Sequence, residues 1–391
     1  MQKIIVFLFF TIFLLPLNAS NLIDFYKKSP LKFQADPNFG KGVDWESIFY
    51  YRNISMVVVP DGSIFVINPG EHKIYKFNEQ GKLVKTFGRK GEGPGDFYFP
   101  GDLSVLDGKY LIIGEYATNR RVSIFNFSGE CVKVIKTSKT CFFPTALSNN
   151  HIAFYTTEST PAESDKKVIC FENLHSIIVK NIDSNKEDTI DQCILLQCGL
   201  KLQGGMISVV ENHMGEPFLA CNKDGDLMVG VSNTPIIKIF STKGQLKRKF
   251  ELKIKPIPVR AGYIQQVKKY NLESLKEQPK IPPPIKKEIE KADFESFFGE
   301  YLPYYRQIFV DSEGNILVFL WPDDINSSEK FQVYSPEGKL ICESTIDDSI
   351  YRFNSARTWK NLQFTAQGIF GVLPLDKDDD IHMRLIKVPI K

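Results

Sequence analysis

Brief polar turns interrupt runs of apolar residues along most of the chain. SMVVVPDGSIFVI turns at Asp61-Gly62, DLSVLDGKYLIIG at Asp107-Gly108 and PFLACNKDGDLMVGV at Asp224-Gly225. Weaker copies are IFVDSEGNILVFL around Glu313-Gly314 and LQFTAQGIFGVL around Gln367-Gly368, and TALSNNHIAFY has the same shape at Asn149-Asn150 without glycine. Gly and Asn tolerate the positive φ of primed turns, and the flanking residues are β-branched and aromatic, so each stretch predicts a β-hairpin. A second pattern follows each hairpin except the last: KIYKFNEQGKLVKTF, RVSIFNFSGECVKVI, IIKIFSTKGQLKRKF and FQVYSPEGKLICEST turn at Gly81, Gly129, Gly244 and Gly338. IIVKNIDSNKEDTIDQ is a degenerate copy with Asn185-Lys186 at its turn.

Each unit therefore predicts four strands, A to D, and the last unit is one strand short. A four-stranded unit repeated around an axis is a propeller blade, and closing the ring removes most exposed strand edges. SPLKFQA, residues 29–35, is a spare β-like segment that predicts the missing strand of blade six. The expectation is an all-β, six-bladed β-propeller of four-stranded antiparallel blades, one domain over residues 21–391, with the N-terminal strand closing the last blade.

The pattern of apolar-DG-apolar, apolar-x-apolar-F/Y and small-polar-G-K-apolar, together with TFGRKGEGPGDFYFP at residues 86–100, resembles NHL-repeat six-bladed propellers of secreted bacterial type. The resemblance spans most of residues 44–390; the GH and WD signals of WD40 blades and the YWTD signature are absent. It implies that the Asn-Arg pair in EYATNRRVSIF braces neighbouring blades. It also implies an alternative function, since related six-bladed scaffolds include calcium-dependent lactonases and lyases with an axial site. Glu115, Glu211, Asn212 and Asp323 are the residues that could be imagined there.

In a propeller the A-B and C-D turns lie on one face, the B-C loops and D-A crossovers on the other. Long insertions all sort to the second face: 88–100, 157–174, 191–216, 253–303, 321–329 and 348–358. Loops held by a rigid scaffold are where binding residues concentrate, so this face is the expected binding face. The longest insertion, about 254–302, changes character. Residues 262–277 and 285–298 predict helices separated by Pro279 and Pro282 to Pro284. Ile264, Val267, Leu272 and Leu275 form an incomplete apolar stripe, read either as a lid or partner-binding arm or as a helical hairpin covering blade edges.

Composition narrows the function. Of 391 residues, 43% are hydrophobic and 24% charged, with a formal net charge of +3, which gives no basic field for nucleic acid. Lys3, the apolar run IIVFLFFTIFLLPL and Asn18-Ala19-Ser20 predict a signal peptide over residues 1–20, hence a secreted or periplasmic protein with no stable membrane span after cleavage. The alternative is a retained anchor, for which the apolar run is short. Seven cysteines leave at least one unpaired in any monomer. Cys193 and Cys198 in CILLQC lack CxxC spacing, and the reading is buried thiols with room for one or two disulfides. His72, His151, His175, His213 and His382 form no HxxxH, HExxH or HxH motif, so no metal or other cofactor is expected, calcium entering only with the alternative function.

The glycines of TFGRKGEGPGDFYFP do not make a phosphate loop, because no lysine or hydroxyl follows the last one and Glu92 and Asp96 would repel an anion. They read as a tight crossover. Candidate binding residues are the cations at its rim and in the following loop, Arg89, Lys90, Arg120 and Arg121. On the insertion side they are Tyr304, Tyr305, Arg306 and Trp321, and before blade six Arg357 and Trp359. Tyr, Trp and Arg supply contact area at low entropic cost and suit protein or glycan ligands; the competing reading makes them wedges between blades. Asn53, Asn126 and Asn326 stand in glycosylation acceptor patterns. The expected function is an exported, non-enzymatic module binding a protein or glycan on the loop-rich face, the alternative a metal-dependent hydrolase or lyase at the axis.

Overall fold

A computed structural model describes residues 21–49, 55–115, 120–162, 167–202, 205–207, 213–276, 282–322, 324, 327–347, 362–374 and 383–390. The expected signal segment, Glu211, Asn212, Asp323, Arg357 and Trp359, and the acceptors Asn53 and Asn326 lie outside the described residues. Helix α1 (Leu22–Tyr26), strand β1 (Leu31–Lys32) and helix α2 (Trp45–Ile48) precede the first blade. Blade one is β2 (Ser55–Val58), β3 (Ile64–Asn68), β4 (Lys73–Phe77) and β5 (Leu83–Phe87). Blade two is β6 (Pro100–Leu106), β7 (Tyr110–Glu115), β8 (Arg121–Asn126) and β9 (Cys131–Lys136). Blade three is β10 (Phe142–Leu147), β11 (His151–Pro161), β12 (Val168–Asn181), β13 (Glu187–Leu202) and the added β14 (Gly205–Ile207). Blade four is β15 (Pro217–Cys221), β16 (Leu227–Val231), β17 (Ile236–Phe240) and β18 (Leu246–Glu251). After helices α3 (Ala261–Lys276) and α4 (Pro283–Glu290), blade five is β19 (Gln307–Val310), β20 (Ile316–Phe319), β21 (Glu329–Tyr334) and β22 (Leu340–Asp347). Blade six is β23 (Leu362–Thr365), β24 (Gly368–Pro374) and β25 (Met383–Val388).

The six sheets form a six-bladed β-propeller, and the packing shows why the sequence closes. Successive side chains on a strand point to opposite faces, so a middle strand packed on both sides must be apolar throughout. On β7, Leu111 and Ile113 join Val57 and Ile67 of blade one, whereas Ile112 joins Ile152 and Phe154 of blade three. The same arrangement joins blades three and four through Ala153 and Leu227, four and five through Ile239 and Val318, and five and six through Phe331 and Phe364. Phe370 and Leu385 of blade six meet Ile64 and Val66 of blade one, completing the ring.

The N-terminal strand does not close blade six as expected. β1 pairs in parallel with β22, outermost in blade five, with Leu31 opposite Ile346 and Lys32 opposite Asp347. The cause lies upstream: the Leu22 amide donates to Glu313 at 3.1 Å and the Tyr26 hydroxyl to Asp311 at 3.1 Å, which delivers the chain to the edge of blade five first. It then crosses blade six with a backbone bond from Asp36 to Lys387 and reaches Gln80 of blade one through the Gly40 amide. The segment thus acts as a strap over three blades, and Phe33 and Phe39 enter the five–six and six–one cores.

Turn chemistry is also richer than predicted. Primed geometry, with two successive positive φ values, occurs at Asp107-Gly108 and Asn149-Asn150. The C-D turns at Gly81, Gly129, Gly244 and Gly338 are four-residue turns followed by a bulge: in the first, Gly81 donates to the Asn78 carbonyl, and the pairing shifts between Lys76 and Phe77. In each of these, a polar side chain at the turn's start accepts from the backbone inside it, as Asn78 does from Gln80 and Lys82, and Asn222 does the same from Asp224 and Asp226 in the unbulged turn at Gly225. Asn126 does the same with Ser128 and Glu130, so the acceptor pattern there is a turn cap.

Candidate functional site

Much of residues 157–174 and 191–202, predicted as loops, is strand. β11, β12 and β13 run on past their blade as an extended sheet whose ladder continues from Ile177 opposite Asp191 to Val168 opposite Leu200. Cys170 and Cys198 face each other in that ladder and form a disulfide. The first helix of the insertion occupies its predicted position, whereas the second ends at Glu290, where Lys291 caps it, and gives way to a short 3-10 turn at Glu295–Phe297.

These elements pack together in a seventh apolar cluster, on the loop-rich face. Tyr263, Ile264 and Val267 of α3 and Ile289 of α4 meet Val168, Cys198 and Leu200 of the extended sheet, with Phe294, Phe297, Leu302 and Trp321. Ile264, Val267 and Leu272 of the apolar stripe predicted on α3 therefore form its docking face, the Leu275 side chain lying outside the described residues. Trp321 is held on several sides: its Nε1 donates to the Tyr305 carbonyl at 3.2 Å and the His213 ring lies 4.6 Å away. His213 in turn packs on Phe298 at 4.6 Å and its Nε2 is 3.3 Å from the Tyr263 hydroxyl.

Between this cluster and blade five lies a cavity of about 590 Å³. Its walls are Pro256, Ile257, Pro258, Tyr263, Leu302, Leu320, Trp321 and Pro322, and its charged lining is Lys255, Arg260 and Lys330. Among the described residues no carboxylate lines it and none of the three cations forms an ion pair. Gln266, at the same wall, donates to Asp324 at 3.2 Å. A smaller cavity of about 150 Å³ sits on the propeller axis, lined by the innermost strands of all six blades, including Ser55, Asp102, Ser104, Thr145, Gln307 and Gln363, and by Glu216. Burial, followed by the charges of Glu216 and Asp102, pushes the Tyr155 hydroxyl well above its usual range. Among the described residues no group of three or more His, Cys, Asp or Glu side chains is placed to hold a metal ion.

Of the sequence-predicted residues, Trp321 lines the larger cavity. Tyr305 is fully buried, and the Arg306 side chain is 6% exposed and paired with Glu329. Tyr304 donates its amide to the Ser232 carbonyl beside the four–five core. Arg121 is buried too: it pairs with Glu115 at 2.9 Å and donates to the carbonyls of Glu92 and Asp96, bracing the glycine-rich crossover. Glu115 therefore answers Arg121 and does not line the axial cavity. Arg89 is exposed and pairs with Asp96 at 2.7 Å, Lys90 bridges to Phe97 within the crossover, and Arg120 is an exposed residue at positive φ. Lys255, Arg260, Tyr263 and Lys330 were missed by sequence reasoning. The one local signal was an isolated run of prolines and cations, IKPIPVR, just after the fourth blade.

A family model agrees with this architecture. Residues 47–209 match a family model described as a 6-bladed beta-propeller. No curated protein matches the chain in sequence. Among solved structures, a protein from Bacteroides fragilis NCTC 9343 described as a candidate exported protein is 12% identical, with a TM-score of 0.48 over 92% of this chain and 94% of that one. A member of the DUF4221 family from Bacteroides vulgatus ATCC 8482 is 12% identical, with a TM-score of 0.46 over 91% and 94%. A gluconolactonase from Xanthomonas campestris is 13% identical, with a TM-score of 0.42 over 87% and 88%.

Proposed function

We propose that the protein is an exported, non-enzymatic binding module that takes a protein segment or a glycan on its loop-rich face. The observation that carries the reading is convergence: the extended sheet of blade three, the helical insertion and the blade-five loop, separate in sequence, share one apolar cluster beside a cavity of about 590 Å³. Several elaborations built around one opening on an otherwise regular scaffold support ligand binding there. Export rests on the N-terminal residues, Lys3 followed by the apolar run; among the described residues no helix is long and apolar enough to cross a membrane.

Gly262 supplies the test. It lines the cavity, and a Cβ built on it meets nothing within 4 Å, so Gly262→Trp places a bulky side chain at the opening with no clash at its Cβ and is expected to block entry. Labelled protein applied to glycan and peptide arrays is expected to bind ligands that Gly262→Trp fails to bind. If no bound glycan or peptide distinguishes the two proteins, the reading is wrong.

A second reading places metal-dependent hydrolysis or elimination at the axis, supported by Asp102 and Glu216 in the axial cavity. Elemental analysis separates the two: stoichiometric calcium lost in Asp102→Asn favours the axial enzyme, and metal-free protein with unchanged array binding favours the module.

A further inference from the structure

We infer that the cavity between α3 and blade five is a site for a small organic anion, an acid group carried on an apolar body. The inference takes from the preceding reading only that the loop-rich face is the binding face, and it stands even where arrays of glycans and peptides bind nothing.

Size comes first. At about 590 Å³ the cavity falls in the range of roughly 300–1,000 Å³ typical of small-molecule sites. Charge comes second: among the described residues Lys255, Arg260 and Lys330 line it without a carboxylate, the neighbouring Asp324 being engaged by Gln266. Three like charges around one opening repel each other, and an anion relieves that repulsion. All three side chains belong to exposed residues, so they can move to meet an acid group at the mouth.

The walls decide what kind of anion. Pro256, Ile257, Pro258, Leu302, Leu320 and Pro322 offer only carbon side chains. The polar ends of the two aromatics are already engaged, Trp321 with the Tyr305 carbonyl and Tyr263 with His213. Gln266 and Ser328 are the neutral hydrogen-bonding side chains left, and Gln266 already donates to Asp324. A polyhydroxylated acid would lose water from many hydroxyls with few partners to replace it. An apolar body loses no hydrogen bonds and buries surface against the prolines and leucines.

A matched pair of fluorescent probes isolates the acid group. 1-Anilinonaphthalene-8-sulfonate and N-phenyl-1-naphthylamine share one apolar body, and only the first carries a charge. With purified full-length protein at low ionic strength, the sulfonate is expected to bind one to one and at least tenfold more tightly than its neutral counterpart. That advantage is expected to shrink in 0.5 M salt, as roughly threefold shorter screening lengths require. The triple variant Lys255→Gln, Arg260→Gln, Lys330→Gln, all exposed positions, is expected to bring the sulfonate down to the affinity of the neutral probe. Gly262→Trp is expected to abolish binding of both. Digalacturonate, an anion with a polar body, is expected to bind at least tenfold more weakly than the sulfonate. Equal affinities of the two probes for the unaltered protein would overturn the proposal. So would sulfonate binding that survives either the triple variant or Gly262→Trp, and so would tighter binding of digalacturonate. Failure of the probes with array binding still sensitive to Gly262→Trp removes the ligand class and keeps the binding face; the reverse pattern removes the protein or glycan ligand alone.

Discussion

Lys180 is 1% exposed, and its ammonium lies 3.0 Å from Glu187 and 3.2 Å from the Asn185 carbonyl. Burial raises the Glu187 pKa, but the Ser138 and Lys180 hydrogen bonds outweigh it and hold the carboxyl below its ordinary range. A lowered folded pKa stabilises the protein above the unfolded value and loses that contribution as pH falls through the folded one. Glu187→Gln leaves a buried ammonium without its counter-charge. It is expected to cost about 2 kcal/mol at pH 7, less than for a fully buried pair because Glu187 keeps some solvent contact. Denaturant titrations of both proteins should converge only once pH has fallen through the lowered pKa of Glu187, below the ordinary glutamate value of about 4.3, where the carboxyl of the parent is itself protonated. A persistent difference there would assign the loss to packing instead. In the sequence both residues stand on either side of the degenerate turn at Asn185-Lys186, and only the register Lys180 opposite Glu187 joins them.

At the scale of the element, the glycine turns were visible and their mechanism was not. The sequence carries a small polar residue three positions before Gly81, Gly129, Gly225, Gly244 and Gly338, yet only the folded turn shows its side chain accepting backbone amides. Gly338 and Gly42 separate two costs. Both have positive φ, but a Cβ at Gly338 would sit 2.4 Å from the Phe250 ring, and one at Gly42 would meet nothing within 4 Å. Gly42→Ala is expected to lower stability by about 1 kcal/mol from backbone conformation alone, and Gly338→Ala by about 3 kcal/mol because blade four must also give way. Equal losses in thermal unfolding would show that the ring contact relaxes freely. The extended sheet of blade three is the element that sequence patterning misplaced. Its residues carry polar side chains at interior-looking intervals, because part of the sheet stands clear of the blade: Ile194 is 61% exposed while its neighbour Leu195 is 2% exposed.

For the molecule as a whole, stability depends on holding blades five, six and one together, because blade six has three strands among the described residues. Tyr26 is the strap's anchor: fully buried, bonded to Asp311, and edge-on to Phe331 at 5.9 Å and Phe364 at 6.3 Å. Tyr26→Ala is expected to cost about 4 kcal/mol and to speed unfolding. Tyr26→Phe keeps the ring contacts and loses the hydrogen bond, for about 1 kcal/mol. Unfolding rates unchanged in Tyr26→Ala would show that the ring opens elsewhere.

The blade count, the all-β class, the face bearing the long insertions and the docking stripe of α3 were determined by the sequence itself. Each depends on residues adjacent on one strand, turn or helix, where spacing and side-chain type suffice. Tertiary structure decided which edge received the N-terminal strand, because anchoring at Leu22 and Tyr26 competes across the ring. It also turned Arg121, Tyr305 and Arg306 inward as braces. The cavity cations were silent in the chain: Lys255 and Arg260 lie far from Lys330 in sequence, and only the packing of the insertion against blade five brings them around one opening.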